Sequence, residues 1–90
     1  MLKLLLTDSY QKKAKKFFAK NPTVLNSYEK TLKLLCINPR HPSLRLHKLK
    51  RNLEGLFSVS INISYRLLIY FIFKDDQIVP VDIGSHDEVY

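Results

Sequence analysis

Four side chains in this 90-residue sequence have types suited to chemistry: Arg66, His47, His86 and Tyr90. Arg66 stands near the start of the most apolar run, Tyr65–Phe73 (Tyr-Arg-Leu-Leu-Ile-Tyr-Phe-Ile-Phe). A guanidinium cannot shed its charge, so beside a core it needs an anion or access to water. Two readings are open for it: a pair with one of the chain's own carboxylates, or a place for a phosphate. Histidine, with a reference pKa of about 6.5, gives or takes a proton near neutrality. Tyrosine titrates near ~10 and serves as a base only where nearby cations lower that value. A cation, an imidazole and a phenol around a shallow basic surface suit phosphodiester chemistry. The arginine would stabilise the extra charge of a phosphorane-like transition state. Positioned proton transfer is typically worth roughly 10²–10⁴-fold. Ser58, Ser60 and Ser64 have short side chains that leave a shallow space bordered by Arg66 and His47, with the tail beyond Gly84 bringing His86 and Tyr90 to the sheet's end. Each residue also has a structural reading: His86 can bond Asp87 or cap the chain end, and Tyr90 can pack its ring on the sheet.

Other chemistries find no support. His41, His47 and His86 lack metal-ligand spacing, so no metal site and no cofactor is expected. The serines lack a nucleophile elbow, and no glycine-rich phosphate loop is present. Cys36 is the only cysteine, which rules out a disulfide framework or cysteine zinc cluster and fits a cytoplasmic protein. Leu4–Leu6 runs at once into Thr7 and Asp8, too short for a signal peptide. Leu67–Phe73 is far short of a membrane span. The net charge of +7 is uneven: residues 1–51 carry +11 and residues 52–90 carry −4. A basic front half suggests a polyanion, or an acidic protein, as partner. The densest basic stretch is residues 40–51, where Arg45, His47, Lys48, Lys50 and Arg51 are expected to face solvent while Leu44, Leu46 and Leu49 anchor the segment. Such spacing lets several cations meet a phosphate backbone together.

The elements that must position these groups follow from periodicity. Residues 2–7 read as a strand, and Asp8 or Ser9 caps a helix. Tyr10, Ala14, Phe17 and Phe18 form one face of that helix, with Lys12, Lys13, Lys15 and Lys16 largely off it. Asn21-Pro22 breaks it. A second helix runs from about Pro22 to Ile37, carrying Val24, Leu25, Tyr28, Leu32, Leu35 and Cys36 at core spacing. The short link makes the two an antiparallel hairpin. Phe57, Val59 and Ile61 alternate with Ser58, Ser60 and Asn62, a strand with one buried and one small polar face. Tyr65–Phe73 and Ile78–Ile83 follow as strands, with Lys74–Gln77 as the turn and Pro80 marking an edge or bulge. Gly84 allows a sharp exit. The result is one α+β domain, residues 1–90: an N-terminal strand and a two-helix hairpin packed on a mainly antiparallel sheet of four or five strands.

Four segments carry a family resemblance. They are His47-Lys48-Leu49-Lys50, Glu54-Gly55-Leu56-Phe57-Ser58-Val59, Tyr65-Arg66-Leu67-Leu68-Ile69-Tyr70 and Asp82-Ile83-Gly84-Ser85-His86-Asp87-Glu88-Val89-Tyr90. Together with length and element order they resemble the RelE/ParE toxin superfamily, including its YafQ-like branch. The resemblance implies a RelE-like fold and the toxin half of a type II toxin–antitoxin pair. It implies a ribosome-dependent mRNA endonuclease that uses the RNA's own 2′-hydroxyl and leaves a 2′,3′-cyclic phosphate. It implies the ribosome, mRNA and a small acidic antitoxin as partners. By position, Arg66 matches the arginine at the scissile phosphate. His86 matches the C-terminal histidine of YafQ-like toxins, Tyr90 the functional tyrosine of RelE, and His47 the first YafQ-like active-site histidine. Arg45, Lys48, Lys50 and Arg51 fall in the segment expected to face RNA. Ser58 and Ser60 stand where RelE carries lysines, and Ser64 where YafQ has an acid. These departures leave His47 or Tyr90 as the proton acceptor. The resemblance also covers ParE-like toxins, which poison DNA gyrase without enzymatic chemistry.

Overall fold

The computed structural model describes residues 1–90. Five strands, β1 (Lys3–Leu4), β2 (His47–Lys48), β3 (Phe57–Ser60), β4 (Tyr65–Ile72) and β5 (Gln77–Ser85), form one sheet in the spatial order β1-β5-β4-β3-β2. Every neighbouring pair is antiparallel except β1 with β5. The helices α1 (Asp8–Lys20) and α2 (Leu25–Ile37) follow β1, and a four-residue helix α3 (His86–Val89) closes the chain.

The central strand β4 is the apolar run singled out in the sequence. Leu67 and Ile69 are wholly buried with Val59 and Ile78, in a core completed by Tyr10, Phe17, Tyr28 and Leu35 of the helices. Fully burying such an aliphatic side chain contributes about 1.5–3 kcal/mol. The phenols of Tyr10 and Tyr28 meet at 2.7 Å, so the two buried hydroxyls satisfy each other across the helix pair. Burial pushes the Tyr10 hydroxyl far above its ordinary range, keeping it neutral. Asn21, at the break between the helices, accepts from the Tyr65 phenol at 2.9 Å and donates to the Phe17 carbonyl at 3.0 Å. This ties the helix junction to the start of β4, one residue from Arg66.

Several boundaries differ from the sequence reading. The first strand covers only Lys3–Leu4, paired with Gln77 and Ile78, because the chain then leaves β5 for the Thr7 cap of α1. Thr7, one residue before the anticipated caps, accepts the Tyr10 amide at 3.1 Å. Pro22–Val24 forms a 3-10 turn ahead of α2, which leaves Leu25 exposed rather than in the core. Cys36 is half-buried. Pro80 does sit beside an irregularity: the β4–β5 register slips between Leu68, opposite Asp82, and Ile69, opposite Pro80. The strand does not leave the sheet at Gly84; β5 continues to Ser85. Space is tight there: a Cβ on Gly84 would lie 3.0 Å from the Glu88 Cβ and 3.1 Å from its Oε1. No helix is long and apolar enough to cross a membrane.

Candidate active site

Register places His47 and Arg66 on one face of the sheet. Residues directly opposite in an antiparallel pair point the same way, as do residues two apart on one strand. His47 of β2 is opposite Ser58 of β3, which is opposite Leu68 of β4. Ser60 is opposite Arg66, which is opposite Gly84 of β5. Ser58 and Ser60 are therefore one pleat apart between His47 and Arg66. The other face carries Val59, Leu67 and Ile69 into the helical core.

Arg66 has no carboxylate within ion-pair distance; the one ion-pair contact in the molecule is His86 with Asp87, at 3.6 Å. Its Nη1 instead donates to Ser60 Oγ at 2.8 Å and reaches the Asn62 carbonyl at 3.5 Å. Ser60 passes its own hydrogen to that carbonyl at 2.9 Å. The guanidinium is thus held by neutral acceptors, and its positive charge is left uncompensated.

The tail is fastened by local and distant contacts. Ser85 and Glu88 form a capping box: Glu88 Oε1 accepts the Ser85 amide at 2.8 Å, and Ser85 Oγ accepts the Glu88 amide at 3.3 Å. These bonds, helped by Lys20, hold the Glu88 carboxyl below its usual range. A single helical turn does not hold itself in water. Val89 supplies the anchor, buried with Leu56 and Leu68 in a small second core on the site face. The Tyr90 phenol donates to Ser58 Oγ in a short hydrogen bond, and the His86 ring stands edge-on to the Tyr90 ring with centroids 4.3 Å apart. Ser58, anticipated on an open polar face, is wholly buried as a result.

The basic segment is shaped by backbone strain. Arg45 has φ 49° and Arg51 φ 62°, left-handed conformations that cost most residues energy. The turn at Arg45 lets its carbonyl meet His47 Nδ1 at 3.3 Å. Arg45, Lys48, Lys50 and Arg51 are all exposed, but Lys48 sits at the alternate strand position, opposite Phe57, and so points away from the His47 face. Arg45 and Arg66 line a common hollow of about 370 Å³ at the β3–β4 turn, with Ser43, Ser60, Asn62 and Ile63. No three His, Cys, Asp or Glu side chains gather into a metal-ligating group.

The sequence showed which residues had suitable chemistry but not what joins them. In the sequence Ser58 and Ser60 look like gaps, whereas in the fold they accept hydrogen bonds from Tyr90 and Arg66. The helix α3 is a further element beyond the sequence expectation, and the Ser85-x-x-Glu88 spacing is its capping-box signal.

No protein-family model matches the sequence, and no curated protein matches it. Solved structures do. A copper-bound mutant toxin from Helicobacter pylori is 32% identical, with both chains covered in full and a TM-score of 0.71. YafQ from E. coli strain BL21(DE3) is 15% identical at a TM-score of 0.80, over 100% of this chain and 99% of that one. A YoeB–YefM complex from Staphylococcus aureus is 24% identical at a TM-score of 0.69, over 96% and 98%. The chain belongs to the RelE/ParE toxin superfamily. Its two helices on a five-stranded mixed sheet are the RelE-like fold.

Proposed function

We propose that this chain is a type II toxin that cuts mRNA on the ribosome, with the RNA's 2′-hydroxyl as nucleophile. The observation that carries this reading is the uncompensated Arg66 guanidinium on the same sheet face as His47, with Tyr90 bonded to Ser58 of that face and His86 against the Tyr90 ring. Arg66 holds the scissile phosphate and stabilises the charge that grows on it. The 2′-oxygen forms its bond to phosphorus as the bond to the 5′-oxygen breaks. His47 takes the 2′-hydroxyl proton: with its Nδ1 hydrogen directed at the Arg45 carbonyl, Nε2 is left as acceptor. His86, two-thirds exposed and beside Asp87, returns a proton to the leaving 5′-oxygen. Tyr90 spends its O–H on Ser58, which supports a positioning role for it and His47 as the base. The exposed Arg45, Lys50 and Arg51 meet the RNA backbone, whereas Lys48, pointing to the strand's other side, does not. The products are a 2′,3′-cyclic phosphate and a free 5′-hydroxyl.

The partner that silences such a toxin is an acidic antitoxin laid over the basic surface, as the charge of +11 on residues 1–51 favours. The similarity to a YoeB–YefM complex supports the same partner class. Inducing the chain in growing cells and mapping message ends by primer extension tests the reading. New ends within translated codons are the expected result. Intact message in arrested cells, with gyrase supercoiling inhibited, would instead identify a ParE-like, non-enzymatic toxin.

A further inference from the structure

We infer that the hollow at the β3–β4 turn is a second phosphate subsite, which seats the backbone phosphate next to the scissile one. This rests on the RNA-cleavage reading, because the scissile phosphate at Arg66 fixes where its neighbour falls. Four observations carry it. The hollow joins two guanidiniums, Arg45 and Arg66, and no carboxylate lines it. By contrast, the hollow between α1 and the tail sets Lys13, Lys16 and Lys20 against Asp82 and Glu88, which offset its charge. Arg45 is turned toward its position by a left-handed backbone that an arginine adopts only at a cost. Ser43, also in the wall, is fixed by the His41 ring: Nδ1 lies 2.8 Å from its hydroxyl oxygen and accepts its amide at 3.2 Å. Finally, Ile63 stands at the lip 96% exposed.

Two cations and no acid select a phosphate diester. An aliphatic side chain left in water beside them offers a nucleobase a face to lie on. The Arg66 guanidinium serves both seats: Nη1 is committed to Ser60, and its remaining N–H groups are free for phosphate oxygens. The scissile phosphate then lies on the Gly84 and His86 side, with its neighbour between Arg66 and Arg45. The substrate is read as a backbone of at least two phosphates, entering over the β3–β4 turn.

The test uses the intact chain and two 2′-deoxy oligonucleotides that cannot be cut: a dinucleotide with one bridging phosphate and a trinucleotide with two. Binding is followed by NMR titration. The expected result is that the trinucleotide binds roughly tenfold tighter, with a salt dependence steeper by about 0.7 for the added phosphate. Arg45→Gly, which suits the left-handed backbone, should remove that gain. Lys13→Ala, on α1, should leave the gain intact. Equal affinity for the two oligonucleotides, or a gain that survives Arg45→Gly, overturns the subsite. An Arg45-dependent gain in a chain that leaves message uncut in cells would defeat the cleavage reading and keep the subsite.

Discussion

Tyr90 donates its phenol hydrogen to Ser58, and Ser58 faces His47 across the β2–β3 pair. The last residue of the chain is therefore registered on the basic segment by one buried hydroxyl. The Tyr90–His86 ring contact extends the link to the second histidine. Tyr90→Phe should cost about 1 kcal/mol in urea unfolding, since it strips a buried acceptor of its donor. Cleavage should stay within roughly tenfold of wild type, because the phenol positions and His47 accepts the proton. A loss of about 10³-fold would make Tyr90 the base.

Arg66→Ala should separate stability from activity. No carboxylate is stranded by the change, and Ser60 keeps its bond to the Asn62 carbonyl. The expected stability change is within about 1 kcal/mol by chemical denaturation. Cleavage should fall by about 10²-fold or more. A variant that unfolds would show that the guanidinium serves the fold.

Acid should loosen the tail before the core. The Ser85 backbone and side chain hold the Glu88 carboxyl below its ordinary range. A carboxyl with a lowered folded-state pKa contributes its stability above the unfolded value, about 4.3, and loses it as pH falls through the folded value. Amide signals of residues 85–90 should therefore shift below about pH 4.3 while those of β4 hold. Glu88→Gln should remove this early step. Tail signals that move only with global unfolding would contradict it.

Gly84→Ala should act on the site through α3. The added methyl meets the Glu88 Cβ, whose position is set by the capping box, so the helix has to move. Val89 and Tyr90 move with it. The expected outcome is weaker cleavage and a lost Tyr90–Ser58 bond, with the helical circular dichroism of α1 and α2 retained. Unchanged cleavage would show that α3 tolerates the shift.

Much of this was legible in residue patterns. The Tyr10, Phe17 and Tyr28 spacing is a helical core face, and Leu67–Ile69 reads as a central strand, because burial follows period and composition. The β1 boundary was not legible, because it depends on where the N-terminal segment departs from a β5 that runs on to Ser85. Nor was the burial of Ser58, because the group that covers it lies 32 residues away. The uncompensated charge of Arg66 needed coordinates for the same reason: which carboxylates approach a guanidinium is a property of the packed chain.

The most direct test of the account is the chemistry of the RNA ends, using ribosomes translating a defined message. Wild-type protein should yield a 2′,3′-cyclic phosphate and a 5′-hydroxyl, and the Arg66→Ala, His86→Ala double variant should yield neither. Uncut message with the wild type, or undiminished cutting by the double variant, would contradict it.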